Sequence, residues 1–537
     1  MPQLLLGNEA LARGAIDAGL SAAYAYPGTP STEITEYLVK SPEAARGDIV
    51  CRWTANEKTA LEAAIGASYA GVRAMASMKH VGLNVAADPF VNAAIAGANG
   101  GLVITAADDP SMHSSQNEQD SRLFTDIALM PCIEPADQQE AYQAPAVAFE
   151  LSEKHRIPVL LRMTTRLCHS RATIELGERR DRNALSLPED PRRYILLPVI
   201  ARGSYEHLIE QQPALIAASE SSPFTEYIEG ADTSLGIIAC GLAYSHLIEV
   251  LDPSSEHPIL KIGQYPLPEH LVEQLVNTCE RILVIEEGYP YVEGKLRGFP
   301  LRSEPVVHGR LSGHLPRTGE LNPQLVADAI GASHPTAGTA STLPAPRPPA
   351  LCPGCPHIDT SKLLKEVLSD YPETGKVFSD IGCYTLGALP PYRVIDTCVE
   401  MGASITMAKG ASRAGLHPAV ALIGDSTFTH SGMTGLLDCV NENANVTVVI
   451  VDNLTTAMTG GQPSAADTRL VSICKGLGID PDHLHVIEPL PKNHQENMAT
   501  LKAEIDHDGP SVIISQRECI QTARRRKKAK PADGGAA

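Results

Sequence analysis

The sequence predicts a multi-domain α/β protein with two doubly wound parallel sheets and a further region between them. From residue 1 to about 190, helix patterns alternate with short apolar strand patterns, as in repeated β-α-β units. Between Ala419 and Gln462, two apolar runs rich in β-branched residues flank a helix pattern, which is typical of parallel strands covered on both faces. The length of 537 residues suggests about three or four domains, and 43% apolar residues suffice for their cores.

Charge balance and cysteine content restrict the class of protein. The chain has 44 Lys and Arg against 63 Asp and Glu residues, and the net charge of −19 argues against a nucleic-acid partner. No stretch approaches about 18 consecutive apolar residues, and the N-terminal Met-Pro-Gln lacks the basic flank of a signal peptide. We therefore expect no membrane span and a cytoplasmic location, in which the 12 cysteines are reduced.

The first region, residues 1–190, is predicted as a doubly wound α/β domain. Two of its strand-to-helix turns contain Thr29 and Glu57, and the first is by itself only a good turn. Thr29 lies in a proline-rich turn before a capped helix, and Glu57 lies in the first turn of a helix that follows a strand, where a dipole-favoured surface carboxylate is the alternative. The predicted elements are helices near Asn8–Ala18, after Ser31 and from Asn56, and strands at Tyr24–Tyr26, Ile49–Trp53, Arg73–Ser77 and Leu102–Thr105.

The middle region, residues 191–333, shows no catalytic constellation. Leu235–Cys240 and Ile282–Glu286 are predicted strands, and Ala243–Val250 is a predicted helix. Residues 334–350 are rich in Pro and Ala, which favours an extended linker and a domain boundary.

Polar side chains follow two neighbouring predicted strands of the third region. Asp425 comes after Val420–Ile423, and Asn453 comes after Val446–Val451, with Ser431–Glu442 as the crossover helix. Because parallel strands end at the same edge of a sheet, we expect both side chains at the ligand-binding edge. One Asp, one Asn and a nearby backbone carbonyl would suit Mg²⁺.

Cys352 and Cys355 form a Cys-Pro-Gly-Cys turn that directs both sulfurs to one side. Such a pair is typical of metal binding. From the spacing alone, zinc, a redox disulfide and an iron-sulfur cluster remain open, although a zinc site would favour a second close pair and a redox pair would favour a thioredoxin-like context.

The motif Gly424-Asp425-Ser426, followed after 26 residues by Asn453, resembles the Gly-Asp-Gly...Asn signature of thiamine diphosphate enzymes, with Ser426 at the third position. Gly-Asp-Ser-Thr-Phe and Asp-Asn-Leu-Thr-Thr-Ala-Met-Thr-Gly-Gly-Gln are similar to the larger subunits of indolepyruvate:ferredoxin oxidoreductases, which are 2-oxoacid:ferredoxin oxidoreductases. The resemblance extends from residue 1 to about 522.

The resemblance implies a domain division. Residues 1–190 would be a pyrimidine-binding domain, 191–333 a transketolase C-terminal-like domain, 351–522 a diphosphate-binding domain with cluster cysteines, and 523–537 a basic disordered tail. The usual ferredoxin-like domain with two four-cysteine runs has no counterpart in this sequence.

The resemblance also implies roles for individual residues. Glu57 would hydrogen-bond the aminopyrimidine N1′ atom of thiamine diphosphate and activate the cofactor, and Thr29 would contact the substrate. The diphosphate and Mg²⁺ would be held at the third region, with the Thr455 backbone carbonyl as a further metal ligand. The implied cofactor-binding residues are Glu57, Gly424, Asp425, Ser426, Asn453, Thr455 and Met458.

A [4Fe-4S] cluster is implied at Cys352, Cys355, Cys383 and Cys519. It would accept one electron at a time from a two-electron oxidation. Coenzyme A would take the acyl group. The implied partners are a smaller (beta) subunit, a second copy of this chain, and ferredoxin or another one-electron carrier.

Two departures from pyruvate-oxidising relatives bear on the substrate. Met458 replaces an Asn, and Ala106-Ala107-Asp108 stands where those relatives have a carboxylate-binding Arg. An adaptable Met suits a bulky apolar group, so indolepyruvate or phenylpyruvate is the expected substrate. The alternatives are a non-oxidative thiamine-dependent decarboxylase, which would not need the four cysteines, and a non-catalytic scaffold subunit.

Overall fold

A computed structural model describes residues 2–298, 306–332, 348–371 and 376–529. The chain divides into two compact units, residues 1–341 and 342–537, and each is described by itself. Most of the predicted linker at residues 334–350 lies outside the described residues. None of the described helices is both long enough and apolar enough to cross a membrane.

The first unit contains a seven-stranded sheet whose inner strands are buried on both faces. Its strands are parallel except for Gln264–Tyr265, which is antiparallel to its neighbour. The spatial order is Gln264–Tyr265, Cys132–Ile133, Val159–Thr164, Leu102–Asp108, Ala74–Lys79, Ala22–Ala25 and Val50–Trp53. The described helices around it are Gly7–Asp17, Thr32–Lys40, Pro42–Ala45, Glu57–Tyr69, His80–Val85, Ala87–Ala96, Arg122–Ala128, Gln138–His155 and Thr165–His169.

A five-stranded sheet belongs to the same unit. Its order is Val306–His308, Arg281–Ile285, Gly236–Cys240, Ile259–Ile262 and Glu226–Ile228, of which the last is antiparallel. Its helices are Pro198–Glu210, Gln212–Glu220, Leu242–Val250, Glu269–Thr278, Tyr291–Gly298 and Pro323–Ile330. A short antiparallel pair, Gln3–Leu6 with Arg171–Ile174, completes the strands described in this unit.

The two sheets of the first unit share one interior. Leu160 of the seven-stranded sheet and Leu260 of the five-stranded sheet lie in the same buried hydrophobic cluster. Strand Gln264–Tyr265 of the middle region extends the edge of the seven-stranded sheet. Because this strand pairs across the predicted boundary near residue 190, the first two predicted regions fold together.

The second unit contains a six-stranded sheet in which every pair is parallel. Its order is Thr397–Cys398, Val377–Ser379, Val420–Gly424, Thr447–Asp452, Ser511–Gln516 and Leu484–Ile487. The described α-helices are Pro356–Leu368, Ala403–Arg413, Asp425–Thr427, Met433–Asn441, Leu470–Gly476, His494–Ile505 and Ile520–Ala529.

Two details of the second unit differ from the predictions. The crossover helix begins at Asp425, not near Ser431, and includes a π-helical turn at Phe428–Gly432. Such turns are frequent at functional sites. The disordered tail was expected from residue 523, whereas helix Ile520–Ala529 includes the first residues of that segment, and residues 530–537 lie outside the described part of the chain.

Candidate active site

Asp425 and Asn453 lie at the carboxyl ends of adjacent parallel strands, because Gly424 is paired with Val451. Asp425 is buried, and its Oδ2 atom has no hydrogen-bond partner among the described residues. Burial, together with the neighbouring Asp452 carboxylate, raises the pKa of Asp425 to about 7. A hydrogen bond from Ser464 lowers this pKa but does not offset the increase. A buried carboxylate beside a second one is unfavourable without a cation, so this end of the sheet fits Mg²⁺.

Asn453 connects this strand end to the cysteine-bearing segments. Its side-chain Oδ1 accepts a hydrogen bond from the Thr455 amide at 3.2 Å, and its Nδ2 lies 3.2 Å from His357 Nε2. Its backbone carbonyl accepts a hydrogen bond from the Cys519 amide at 3.1 Å. Burial lowers the pKa of His357 to about 4, so this imidazole is neutral and can accept a hydrogen bond from the amide of Asn453.

The glycine-rich signature has a steric explanation. A Cβ atom at Gly424 would lie 2.7 Å from the ring of Tyr384, so this position requires glycine. Ser426 lies within helix Asp425–Thr427, where the backbone does not require glycine, and its Oγ is 2.9 Å from Thr456 Oγ1. The replacement of the signature's third glycine by Ser426 therefore introduces no backbone strain.

The loop after Asn453 folds back on itself. Thr456 and Gln462 form an isolated β-bridge, and Thr455 Oγ1 donates to the Gln462 carbonyl at 3.0 Å. Met458 lies in the short 3₁₀ turn Ala457–Thr459, and its side chain is 59% exposed within this unit. Its thioether is thus available to contact a ligand.

The four predicted cluster cysteines line one cavity of about 180 Å³, although they come from three separate segments. Asn453 and His357 line the same cavity. Burial raises the pKa of the Cys355 thiol to about 11 and that of Cys383 to about 12, and the charges of the other cysteines contribute to both shifts. The described residues contain no group of three His, Cys, Asp or Glu side chains able to hold a metal ion. Four cysteine thiols are soft ligands of the kind that bind either zinc or an iron-sulfur cluster.

The remaining cysteines lie apart from this cavity. Cys398 is partly buried, and its Sγ lies 3.5 Å from the Asp380 carbonyl. The others are buried as small core residues, as expected from their sequence context. They are Cys51, Cys132, Cys168, Cys240, Cys279, Cys439 and Cys474.

In the first unit, Glu57 is the first residue of helix Glu57–Tyr69 and is 6% exposed. Asn56 caps this helix by accepting a hydrogen bond from the Thr59 amide at 2.9 Å. A Cβ atom at Gly82 would lie 2.6 Å from Glu57 Cγ, so the missing side chain at Gly82 leaves the room that Glu57 occupies. Glu57 is therefore a packed carboxylate and not the surface residue of the alternative interpretation.

Thr29 is partly buried in a turn beyond strand Ala22–Ala25. Its backbone carbonyl accepts a hydrogen bond from Ser114 Oγ at 3.2 Å. The Ser114 carbonyl in turn accepts a hydrogen bond from Lys79 Nζ at 2.8 Å. Lys79 also packs beside this turn, because a Cβ atom at Gly28 would lie 3.1 Å from Lys79 Cβ.

Sequence reasoning missed several residues that the fold adds to these regions. Asp452 directly precedes Asn453 and His357 lies two residues after Cys355, but neither was assigned a role. Lys79 lies two residues beyond the predicted strand Arg73–Ser77 and was not assigned a role. The strand-end position of Lys79 was visible in the sequence, whereas its burial depends on the surrounding fold.

Two family models match the chain. Residues 13–206 match the thiamine diphosphate-binding region of pyruvate flavodoxin/ferredoxin oxidoreductases. Residues 380–515 match the C-terminal thiamine pyrophosphate-binding domain of thiamine pyrophosphate enzymes. These matches cover the regions that contain Glu57 and Asp425. With the α/β fold, they define a thiamine diphosphate-dependent 2-oxoacid oxidoreductase.

Similar proteins identify the family more closely. The chain is 38% identical to indolepyruvate oxidoreductase subunit IorA of Archaeoglobus fulgidus, over 97% of this chain and 88% of that protein. It is 37% identical to the protein of the same name from Pyrococcus abyssi, over 96% and 85% of the two chains. The chain belongs to the IorA family of indolepyruvate oxidoreductase subunits.

A solved structure supports the fold. The 2-oxoglutarate:ferredoxin oxidoreductase of Magnetococcus marinus aligns with a TM-score of 0.50 and 16% identity, over 62% of this chain and 65% of that one. At this identity the similarity concerns the α/β fold alone, which was predicted from the sequence and is confirmed.

Proposed function

We propose that this chain catalyses the oxidative decarboxylation of an aryl 2-oxo acid to its acyl-CoA, with electrons leaving through a [4Fe-4S] cluster. The balanced reaction is 2-oxo acid + CoA + two oxidised one-electron carriers → acyl-CoA + CO₂ + two reduced carriers + H⁺. When bound, thiamine diphosphate would serve as the electron sink for loss of CO₂, and the cluster would accept electrons one at a time. Indolepyruvate and phenylpyruvate are the preferred substrates in this proposal.

The observation that carries this proposal is the shared cavity in the second unit. Cys352, Cys355, Cys383 and Cys519 line it together with Asn453, the proposed metal ligand. Cys519 is tied to Asn453 by a backbone hydrogen bond of 3.1 Å. A non-oxidative decarboxylase would have no use for four converging cysteines beside the diphosphate site.

The buried carboxyl group of Asp425 argues against a non-catalytic scaffold subunit. An ionisable carboxyl group buried without a partner for Oδ2 would only destabilise a protein that binds nothing. We propose that Asp425, the Asn453 side chain and the Thr455 carbonyl would hold Mg²⁺, which would supply positive charge for the cofactor diphosphate. Gly424 permits close packing of Tyr384, and Ser426 holds the loop through Thr456.

The chain's own side chains have separate tasks in this proposal. Glu57, packed against Gly82, orients and activates the pyrimidine end of the cofactor. Thr29 contacts the substrate, and the exposed Met458 supplies an adaptable apolar contact for an aryl group. The names of the IorA relatives support this choice of substrate.

The proposed assembly contains at least two copies of this chain and a smaller beta subunit. The relatives are named as subunits, which supports a partner chain. Coenzyme A is supported by the fold neighbour, whose structure contains bound coenzyme A. Ferredoxin or another one-electron carrier would receive the electrons.

The decisive experiment uses the anaerobic complex of this chain with its partner subunit. Thiamine diphosphate, Mg²⁺ and CoA are added, followed by phenylpyruvate, indolepyruvate, pyruvate or 2-oxoglutarate. We expect a reduced-cluster EPR signal that is strongest with the aryl acids. The absence of iron, or of reduction by all four acids, would refute the oxidoreductase proposal.

Matched cysteine variants test the cluster ligands. Cys383→Ser should lower iron content and remove the EPR signal, because serine replaces a thiolate ligand. Cys439→Ala changes a buried core cysteine outside the cavity and should retain both. Equal iron loss in the two variants would mean that Cys383 acts through folding and not as a ligand.

A further inference from the structure

Lys79 differs from the other buried cations of the first unit. The buried Lys and Arg side chains described there are Lys79, Arg122, Arg162, Lys261 and Arg310. All except Lys79 form an ion pair with a described carboxylate. Lys79 is 8% exposed, and its one described hydrogen bond is donated to the Ser114 carbonyl. An ammonium group has three donors, so its charge and two of its donors are unmatched by described residues.

The nearby acid does not neutralise Lys79 directly. Asp109 raises the pKa of Lys79 electrostatically, yet it lies beyond ion-pair distance among the described contacts. Its own oxygens accept hydrogen bonds from the Ser114 amide at 2.8 Å, Ser115 Oγ at 2.6 Å and Thr165 Oγ1 at 2.6 Å. Burial lowers the pKa of Lys79 to about 8, which still leaves it mostly protonated at neutral pH.

The position of Lys79 is that of a ligand-binding residue. It ends strand Ala74–Lys79, at the carboxyl edge where α/β sheets bind ligands. The sheet register pairs it with Ala107 of the neighbouring strand, whose small side chain leaves room beside it. Through Ser114 it is linked to the turn of Thr29, the residue proposed to contact substrate.

We propose that Lys79 binds the carboxylate of the 2-oxo acid substrate, an inference that rests on the proposed function. The substrate carboxylate would neutralise a cation that the protein itself leaves without a counter-ion. A buried charge without a partner is costly, and a bound anion removes that cost. The Ser114 hydrogen bond holds the ammonium group while its other donors face the ligand.

The test separates charge from shape with two unreactive ligands. These are 3-phenylpropanoate, which has a carboxylate, and 3-phenylpropanamide, its uncharged counterpart. Binding to the complex containing thiamine diphosphate and Mg²⁺ is measured by calorimetry, and kcat and KM for phenylpyruvate are measured in parallel. Wild type should prefer the acid over the amide.

Substitutions at Lys79 then distinguish a carboxylate-binding role from a structural one. Lys79→Gln keeps a donor for Ser114 but removes the charge, and Lys79→Met removes both. Both should weaken acid binding roughly tenfold to a hundredfold, as expected for a charge-assisted hydrogen bond, and leave amide binding within about threefold. KM should rise more than kcat falls. Lys79→Arg should retain part of the acid preference.

The control is Lys58→Met, which removes a charge from the exposed Lys58–Glu62 pair on the helix that contains Glu57. It should leave both affinities unchanged. The proposal would be overturned if Lys79→Gln still bound the acid more tightly than the amide. It would also be overturned if Lys79→Gln bound the acid as tightly as Lys79→Arg does. Failure of the proposed function would appear differently, as a wild-type complex that oxidises no 2-oxo acid.

Discussion

Buried charge is treated in opposite ways by the Arg122–Arg162 network of the first unit and by the Asp425 strand end of the second unit. In the first unit, Arg122 lies 2.6 Å from Asp120 and 3.0 Å from Glu286, and Arg162 lies 2.7 Å from Asp108. All of these side chains are buried, and each is matched by opposite charge. In the second unit, Asp425 is equally buried but lies beside Asp452, and its pKa is raised to about 7 by burial and that neighbour.

The difference distinguishes structural charges from ligand-binding ones. Arg122 also donates a 3.1 Å hydrogen bond to Tyr265 of the seven-stranded sheet, and its ion pair with Glu286, which directly follows strand Arg281–Ile285, links the network to the five-stranded sheet. Breaking a paired buried network leaves uncompensated charge and destabilises the fold. Removing a carboxylate that has no cation partner instead removes a cost, while a ligand site is lost. The following substitutions test this contrast.

The largest effect is expected for Asp425→Ala. Loss of the proposed metal ligand should abolish thiamine diphosphate and Mg²⁺ binding, and with it all turnover. The cofactor-dependent stabilisation, about 2.7 kcal/mol when ligand is at 100 times its Kd, should also disappear. Thermal melts with and without thiamine diphosphate and Mg²⁺ measure both the loss of cofactor binding and the loss of this stabilisation. The variant without cofactor should melt no lower than wild type, and a large fall there would show that Asp425 is structural.

Glu57→Gln should have the next largest effect. The amide keeps the packed shape beside Gly82 but cannot transfer a proton, so turnover should fall roughly 10²- to 10⁴-fold. Cofactor affinity should change little. Calorimetry of cofactor binding and NMR exchange of the cofactor's C2 proton separate these effects. Loss of binding with normal exchange would reverse the roles assigned to Glu57 and Asp425.

Arg162→Met should mainly affect stability. It leaves Asp108 and Glu134 buried without their guanidinium partner, so the free energy of unfolding should fall by about 3–5 kcal/mol. Urea unfolding of the complex measures this change. The cofactor-dependent rise in melting temperature should persist. A variant of wild-type stability would contradict the structural role of the network.

Ser426→Gly should have the smallest effect. It restores the glycine of the common signature, but the helical backbone at Ser426 gains nothing from glycine. Loss of the 2.9 Å contact with Thr456 should cost about 1 kcal/mol or less and change cofactor affinity by less than roughly tenfold. Calorimetry checks this value. A larger change would make Ser426 a direct cofactor ligand.

Local patterns predicted much of the fold because strands and turns leave strong signals in short segments. The strand before Asp425 was expected at Val420–Ile423 and is Val420–Gly424, and the helix from Asn56 begins at Glu57. The start of the crossover helix was missed because its first turns contain Ser, Thr and Gly, which resemble a loop.

The candidate site was predictable where its residues follow strands or form a close cysteine pair. Asp425, Asn453, Cys352 and Cys355 were proposed in this way, and resemblance to a family added Cys383, Cys519 and Glu57 as further candidates. The convergence of the four cysteines on one cavity is a tertiary result, since Cys352 and Cys519 are separated by most of the second unit.

The sequence alone determined the α/β class, the order of elements and the residue types available at each strand end, because these depend on neighbours along the chain. Only the tertiary structure decided which buried charged groups have a partner of opposite charge. Lys79 and Lys261 are both lysines in strands, yet one has no described carboxylate partner and the other pairs with Glu140. Burial and counter-ions come from distant segments, so the chemistry of these side chains is set by the fold.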